Sequence, residues 1–328
     1  MEYYSEIDRI NELREPVRLT SDYVFKYVFG GETSTGILRA FLTAVQTDAG
    51  LPAVAEVEIR NPFNLSDSTE AKTSVVDVRA RDVEGTIYTI EVQALPEAAF
   101  RERALYYWAH AYTAQLGKRQ VYETLRPVVG VNVVGFTVFP KSVPVHSTFQ
   151  LTERDTGTPI LTPHLAIHFL ELPKLRGNGI SDNAAEPDRR SETSRRAALS
   201  TPLGRWLYYI DERGETDAME DDILLQILKE DPDIEDAEER YRQFVADDEL
   251  RERYQDRIKA ERDRQSQLIY AQRQGEAAGR EEGREEGRQE GRTEERLDVA
   301  RRMKAHGIPV EEIRELTGLS AEVIAGIE

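Results

Sequence analysis

The chain of 328 residues has no cysteine, two tryptophans and three methionines. Without cysteine, disulfides and thiolate metal sites are excluded, which fits a cytoplasmic protein. No apolar run approaches the length of a membrane span. The opening Met1-Glu2-Tyr3-Tyr4-Ser5-Glu6-Ile7-Asp8 has neither the basic nor the apolar region of a signal peptide, so a soluble protein is expected. Net positive charge is also missing. The balance of −18 looks wrong for a nucleic-acid binder, but residues Asp211–Leu250 hold 17 acids and 4 bases, or −13 of the total. The rest of the chain shares −5. A locally basic cleft elsewhere is therefore compatible with the composition, and Lys26, Lys72, Arg79, Arg81, Arg101 and Arg103 are available to make one.

Two adjacent segments stand out. Ser74–Arg81 and Thr86–Gln93 alternate in polarity and are rich in β-branched and aromatic residues, the signature of half-buried strands. A three-residue loop, Val83-Glu84-Gly85, with Gly85 left-handed, joins them as a hairpin. Asp77 then stands opposite Glu91, while Val76, Val78 and Ala80 meet Val92, Ile90 and Tyr88 on the core face. A two-residue loop, Glu84-Gly85, would shift the register and send the two acids to opposite faces. Paired like charges repel, so a sheet gains no stability from them. A divalent cation between them would remove the penalty and use both oxygens. Solvent-facing acids on a hairpin are the ordinary alternative. Gln93, two residues after Glu91, shares its face and can orient an attacking water or touch a scissile phosphate.

Around this hairpin the pattern predicts a compact α/β layer domain over residues 1–175. A capped helix covers residues 20–29, where Ser21 or Asp22 is the N-cap, and a second covers 37–45. A strand at Val57–Asn61 precedes the hairpin. A helix over Ala98–Leu116 follows it, with Arg103, Tyr107 and His110 along one stripe. Val128–Phe139 reads as a central strand buried on both faces, and Leu165–Leu172 as another. Residues 176–200 form a loop or disordered insert. Residues 201–295 form a charged helical region, whose start, with Trp206, returns to the first domain. Trp108 is likewise assigned to the core.

Glycine recurs at Gly275, Gly279, Gly283, Gly287 and Gly291. One side of such a helix would admit a second backbone, from another subunit or the same chain; a solvated tail is the other reading. Residues 296–328 make a small helix–turn–helix-like unit capped by Ser320. Its last helix is acidic and has no side chain suited to base reading, which favours packing or oligomerisation.

Several of these segments together resemble the PD-(D/E)XK nuclease family transposases, also called the recombination-promoting nuclease family. They are Leu19–Phe29, Lys72 with Asp77, Ile90-Glu91-Val92-Gln93, and Arg103–Tyr107 with Gln115-Leu116 and Tyr122. The resemblance covers residues 17–140, and the Gly-Arg-Glu-Glu repeat with a terminal Thr-Gly-Leu-Ser resembles the tails of such proteins. It implies a restriction-endonuclease-like core, a mixed sheet flanked by helices, that cuts DNA with Mg²⁺ (Mn²⁺ as substitute). By position, Asp77, Glu91 and the Val92 carbonyl would be metal ligands. Gln93 occupies the place of the superfamily's catalytic lysine, and Val76 the place of its proline. Glu-x-Gln is usual for this family, and glutamine would orient water instead of moving a proton. Lys26, Lys72, Arg103 and Tyr107 are candidates for substrate contact, the last two alternatively for buttressing the hairpin. Asp22 is a possible additional acid. The reading is a metal-dependent DNA endonuclease acting as an oligomer, favoured as a dimer; a catalytically inert nucleic-acid- or protein-binding module is the rival. A link to recombination rests on the family name alone, because no strand-transfer acidic triad is visible.

Overall fold

The computed structural model describes residues 16–60, 77–117, 119–158, 160–176, 200–214 and 221–327. Lys72, Val76 and residues 177–199 of the insert expected at 176–200 lie outside them. Helices α1 (Asp22–Gly30) and α2 (Thr35–Asp48) come first, followed by strands β1 (Val57–Ile59), β2 (Val78–Asp82) and β3 (Ile87–Gln93). Helix α3 (Phe100–Thr113) leads to β4 (Val128–Val134), β5 (His146–Phe149) and β6 (Leu165–Glu171). The sheet has the order β1-β2-β3-β4-β6-β5. Strands β3, β4 and β6 are parallel, and β1, β2 and β5 join antiparallel at the edges. The expected central strand is buried on both faces as far as Val134, where the ladder ends; residues 135–139 continue outside the sheet.

The two faces are covered differently. On one, α3 packs Phe100 and Ala104 against Val134, Leu165, Ile167 and Phe169, and sets Ala111 on Ile87 and Val128. On the other lie α1 and α2. Gly30 approaches Val78 so closely that a Cβ there would stand 3.1 Å from its Cγ2. The hairpin face bearing Glu91 is therefore a second core face over much of its length, because Ile87 and Thr89 are as buried as Tyr88 and Ile90.

Helices α4 (Pro202–Glu212), α5 (Asp222–Glu230) and α6 (Pro232–Ala246) complete this unit, which runs to Asp256. Thr201 caps α4 by accepting from the Gly204 N–H at 2.9 Å. Trp206 then enters an aromatic cluster with Phe29 and Phe41, at ring separations of 5.6 and 5.8 Å. Deleting one such ring to alanine costs about 3–5 kcal/mol. The acidic segment folds here because its apolar positions recur at helical spacing: Ile234, Ala237, Tyr241, Phe244 and Val245 are buried, while Glu235, Asp236 and Glu239 face outward and Glu238 is buried in a 2.8 Å pair with Arg213.

Arg257–Glu328 form a second unit. Helix α7 (Asp248–Ala305) carries the glycine repeat. Among the described residues nothing lies within 4 Å of where a Cβ would stand at Gly275, Gly279, Gly283, Gly287 or Gly291, so no second helix among them packs there. At its end, α8 (Val310–Thr317) and α9 (Ala321–Ala325) fold back, and Ala300, Ile313, Ile324 and Ile327 form a small core. Ser320 caps α9 by accepting from the Val323 N–H, and Lys304 Nζ donates to the carbonyls of Ile324, Ala325 and Ile327. The third helix stops at Ala325, two residues short of the expected Ile327.

Candidate active site

The hairpin loop decides which acids meet. Asp82 closes it: its Oδ1 accepts from the Glu84 and Thr86 N–H groups at 3.0 and 2.8 Å, and its Oδ2 from the Tyr88 hydroxyl at 3.1 Å. Gly85 sits at φ +92°, where a side chain would be strained. The loop thus has three residues, Val78 pairs with Ile90, and the two-residue alternative does not occur. The ladder stops one residue short of Asp77. In place of a backbone partner, the Val92 N–H donates to Asp77 Oδ2 at 2.7 Å. The Asp77 carboxylate therefore continues the sheet edge and faces the end of β3. Neighbouring residues of a strand direct their peptide groups to opposite sides. The Gln93 carbonyl accepts from Gly135 on the β4 side, so the Val92 carbonyl opens on the side of Asp77.

Glu91 and Asp77 form one electrostatic unit. Burial pushes the pKa of Asp77 up, and repulsion from Asp22 adds to it; the Val92 N–H, Lys26 and Arg103 pull the other way. Glu91 is raised in the same sense, first by burial and then by Asp77, with Arg103 opposing. Its side chain is 14% exposed. Two carboxylates held together at low solvation retain a proton that each alone would lose. Asp22 is at the first turn of α1, and Lys26 is one turn further on the same face, so α1 presents an acid and a base to the pair. The expected capping is only partly realised. Ser21 occupies the N-cap position without a side-chain cap bond, while Asp22 Oδ1 accepts from the Tyr23 N–H at 2.7 Å.

From the opposite side, α3 delivers Arg103. Its Nη2 donates to Gln93 Oε1 at 3.0 Å and approaches Glu91 Oε1 at 3.4 Å, and Nη1 pairs with Glu97. The guanidinium lies over the rings of Phe100 and Tyr107, at 4.9 and 5.8 Å from their centroids. Tyr107 also borders the site: burial raises its phenol pKa, as does Glu91. Gln93 is held at both ends, since Nε2 donates to the Leu95 carbonyl at 3.1 Å. The structure thus brings together Asp77, Glu91, Val92, Gln93, Lys26, Arg103, Tyr107 and Asp22. Glu97 was not among the sequence candidates. It lies in the irregular segment before α3, where no periodicity connects it to a strand or helix.

Two buried carboxylates, an outward backbone carbonyl and a neighbouring third acid are hard oxygen donors, which suit Mg²⁺ or Mn²⁺. Among the described residues, no group of three or more His, Asp or Glu side chains is assembled closely enough to make a metal cage by itself. The site would need backbone and solvent oxygens to complete a coordination shell, as Mg²⁺ commonly does.

The model of the PD-(D/E)XK nuclease family transposases matches residues 19–271. The chain belongs to this family. No curated protein and no solved structure matches it. Family membership supports a nuclease-type hydrolase, and the mixed sheet flanked by helices is consistent with a restriction-endonuclease-like fold. The third position of Glu91-Val92-Gln93 departs from the lysine in the family's name. No helix among the described residues is long and apolar enough to cross a membrane.

Proposed function

We propose that the protein is a divalent-metal-dependent DNA endonuclease, with Asp77, Glu91 and the Val92 carbonyl as protein ligands and Mg²⁺ or Mn²⁺ as the ion. The observation that carries this is the Asp77–Glu91 pair at the end of β3, two acids whose pKa values are both driven up by burial first, with repulsion from Asp22 adding at Asp77 and from Asp77 adding at Glu91. Such a pair is costly unless a cation or proton sits with it. A bound divalent ion would supply Lewis-acid stabilisation of the charge developing on the scissile phosphate.

The remaining work falls to the chain itself. Val92 N–H holds Asp77 in line with the end of β3. Gln93 orients the attacking water through its amide, and Arg103 fixes that amide by donating to its oxygen. Lys26 and Arg103 supply the positive charge that attracts a phosphate, and Tyr107 limits the site on the α3 side. Lys72 has the same proposed role. Asp22 acts at one remove, by raising the affinity of the pair for a cation.

Assembly as a homodimer through the glycine face of α7 is part of this proposal. A lone helix loses about 1 kcal/mol per glycine relative to alanine, and duplex cutting calls for two sites facing opposite strands, which a cyclic dimer supplies. Residues 1–175 would form the nuclease core, and residues 296–328 an accessory unit. A link to recombination would follow from DNA cleavage in this family. The rival, an inert binding module, draws on Gln93 standing where a lysine is expected.

Plasmid cleavage in Mg²⁺ or Mn²⁺ tests the reading. Asp77→Ala and Glu91→Ala should each abolish metal-dependent cutting while the folded state persists. Near wild-type cutting by either variant would refute the site assignment.

A further inference from the structure

A second like-charge pair lies on the same sheet face as Glu91. Strand β1 runs antiparallel to β2 with Glu58 opposite Arg81, and the ladder extends to Arg60, whose N–H donates to the Arg79 carbonyl at 2.7 Å. Arg60 and Arg79 therefore stand directly across from each other and bring two guanidinium side chains to one stretch of the sheet face. Arg79 and Arg81 pair with Thr89 and Ile87, so both share the face of Glu91. Together with Arg60 they line a pocket of about 460 Å³, closed on the α3 side by Gln115, Gln120 and Thr124, with no Asp or Glu among the described residues of its wall. Glu58 pairs with Arg60 at 2.9 Å but stands outside the wall, and both side chains are largely exposed.

The wall is built in place. Gln115 is clamped by two bonds to the Arg126 backbone, each 3.0 Å, and Arg81 Nε donates to the Gly85 carbonyl at 3.3 Å. The segment that supplies Gln120 and Thr124 also carries Tyr122, 80% exposed. At about 3.3 Å per residue, Arg79 and Arg81 lie about 7 and 13 Å along the strand from Asp77. A DNA strand rises about 3.4 Å per nucleotide, so the row covers phosphates a few nucleotides from one cut at Asp77.

We propose that this pocket, formed by Arg60, Arg79 and Arg81, binds backbone phosphates of the nucleic-acid strand that runs into the Asp77–Glu91 site. A row of guanidinium groups along the strand, with an exposed aromatic in the segment that closes the pocket, suits a polynucleotide, whose bases stack, better than a free phosphate. The assignment rests on the nuclease reading for its substrate but is tested apart from it, because binding is measured without metal and without cleavage.

Fluorescence anisotropy with a labelled DNA duplex in EDTA compares wild type, Arg60→Gln/Arg79→Gln, Arg81→Gln and the loop control Arg154→Gln. The double variant should bind at least tenfold more weakly. Its slope of log affinity against log salt should fall by up to about 2, near 0.9 per phosphate contact. Arg154→Gln should match wild type. The thermal midpoint of the DNA-free double variant should stay within a few degrees of wild type, as expected for a variant that loses binding and keeps its fold; a collapse of the midpoint would mark these arginines as structural and overturn the assignment. Unchanged affinity and slope would overturn it as well. Calorimetry with pyrophosphate separates the other source: variants that lose pyrophosphate yet bind DNA normally would make the ligand a small phosphorylated molecule and refute the polynucleotide. If Asp77→Ala still cuts DNA while the arginine variants fail to bind it, the active-site reading falls and the pocket stands.

Discussion

Replacing Asp77 by asparagine should make the metal-free protein more stable while destroying its activity. Asparagine has nearly the same shape, and its amide oxygen can keep the 2.7 Å bond from the Val92 N–H. Only the charge is lost. Asp77 and Glu91 both have pKa values raised in the folded protein. The folded state therefore holds protons that the unfolded chain gives up above about pH 4, and wild type loses stability as pH rises from there through the folded values. Each tenfold difference in proton affinity between folded and unfolded states is worth about 1.4 kcal/mol. With Arg103 and Lys26 partly compensating, removing one carboxylate should return about 1–3 kcal/mol at pH 8. For a unit of this size that is about 3–10 °C in thermal midpoint. At pH 3.5 the difference should vanish. Mn²⁺ at a hundred times its Kd should raise wild type by about 2.7 kcal/mol and the variant far less. Differential scanning fluorimetry at pH 3.5 and pH 8, in EDTA and in Mn²⁺, measures all four corners. A destabilised Asp77→Asn at pH 8 in EDTA, or an equal Mn²⁺ effect in both proteins, would refute the argument that the pair is a strained cation site.

Other expectations are open to test. Gln93→Ala should cut DNA at least tenfold more slowly yet bind Mn²⁺ with near wild-type affinity by calorimetry; a loss like that of Asp77→Ala would make Gln93 a ligand. Burial and then His146 hold the His168 pKa down to about 3, so the folded state resists a proton that the unfolded chain takes below about pH 6.5. Stability should fall as pH drops from there, by roughly 1–3 kcal/mol at pH 4.5. His168→Gln should lose that part of the pH slope, and equal slopes in urea titrations would count against the reading. At Gly135 a Cβ would stand 2.6 Å from the Ala94 carbonyl oxygen, so Gly135→Ala should push β4 off the end of β3, lower stability in urea titration by about 2 kcal/mol or more and slow cleavage; a neutral result would contradict the close approach. Deleting residues 270–328 should reduce the mass found by light scattering from dimer to monomer, and a monomeric full-length protein at micromolar concentration would leave α7 a solvated helix.

Local pattern alone determined much of this protein. Alternation in 74–81 and 86–93, with Gly85 at the turn, specified the hairpin but left two loop lengths open; the three-residue loop closed by Asp82 chose the register that pairs Val78 with Ile90. The unbroken apolar run at 128–134 marked a strand buried twice over, and Ser320 marked the start of the last helix. Asp77 and Glu91 could be singled out for the same reason, since their meeting depends on residues close in sequence. Tertiary structure decided the rest. The apolar helix faces at 201–246 did not say which surface they cover; Trp206 reaches Phe29 and Phe41 across most of the chain. The glycine repeat did not reveal that no helix among the described residues lies against it. Asp77 was expected as a cross-strand partner and instead ends the sheet edge with its side chain. Arg60 met Arg79, and Arg103 met Gln93 and Glu97, only because separate segments converge. Period and turn chemistry act over a few residues, whereas burial, charge pairing and raised pKa values depend on neighbours that only the folded chain supplies.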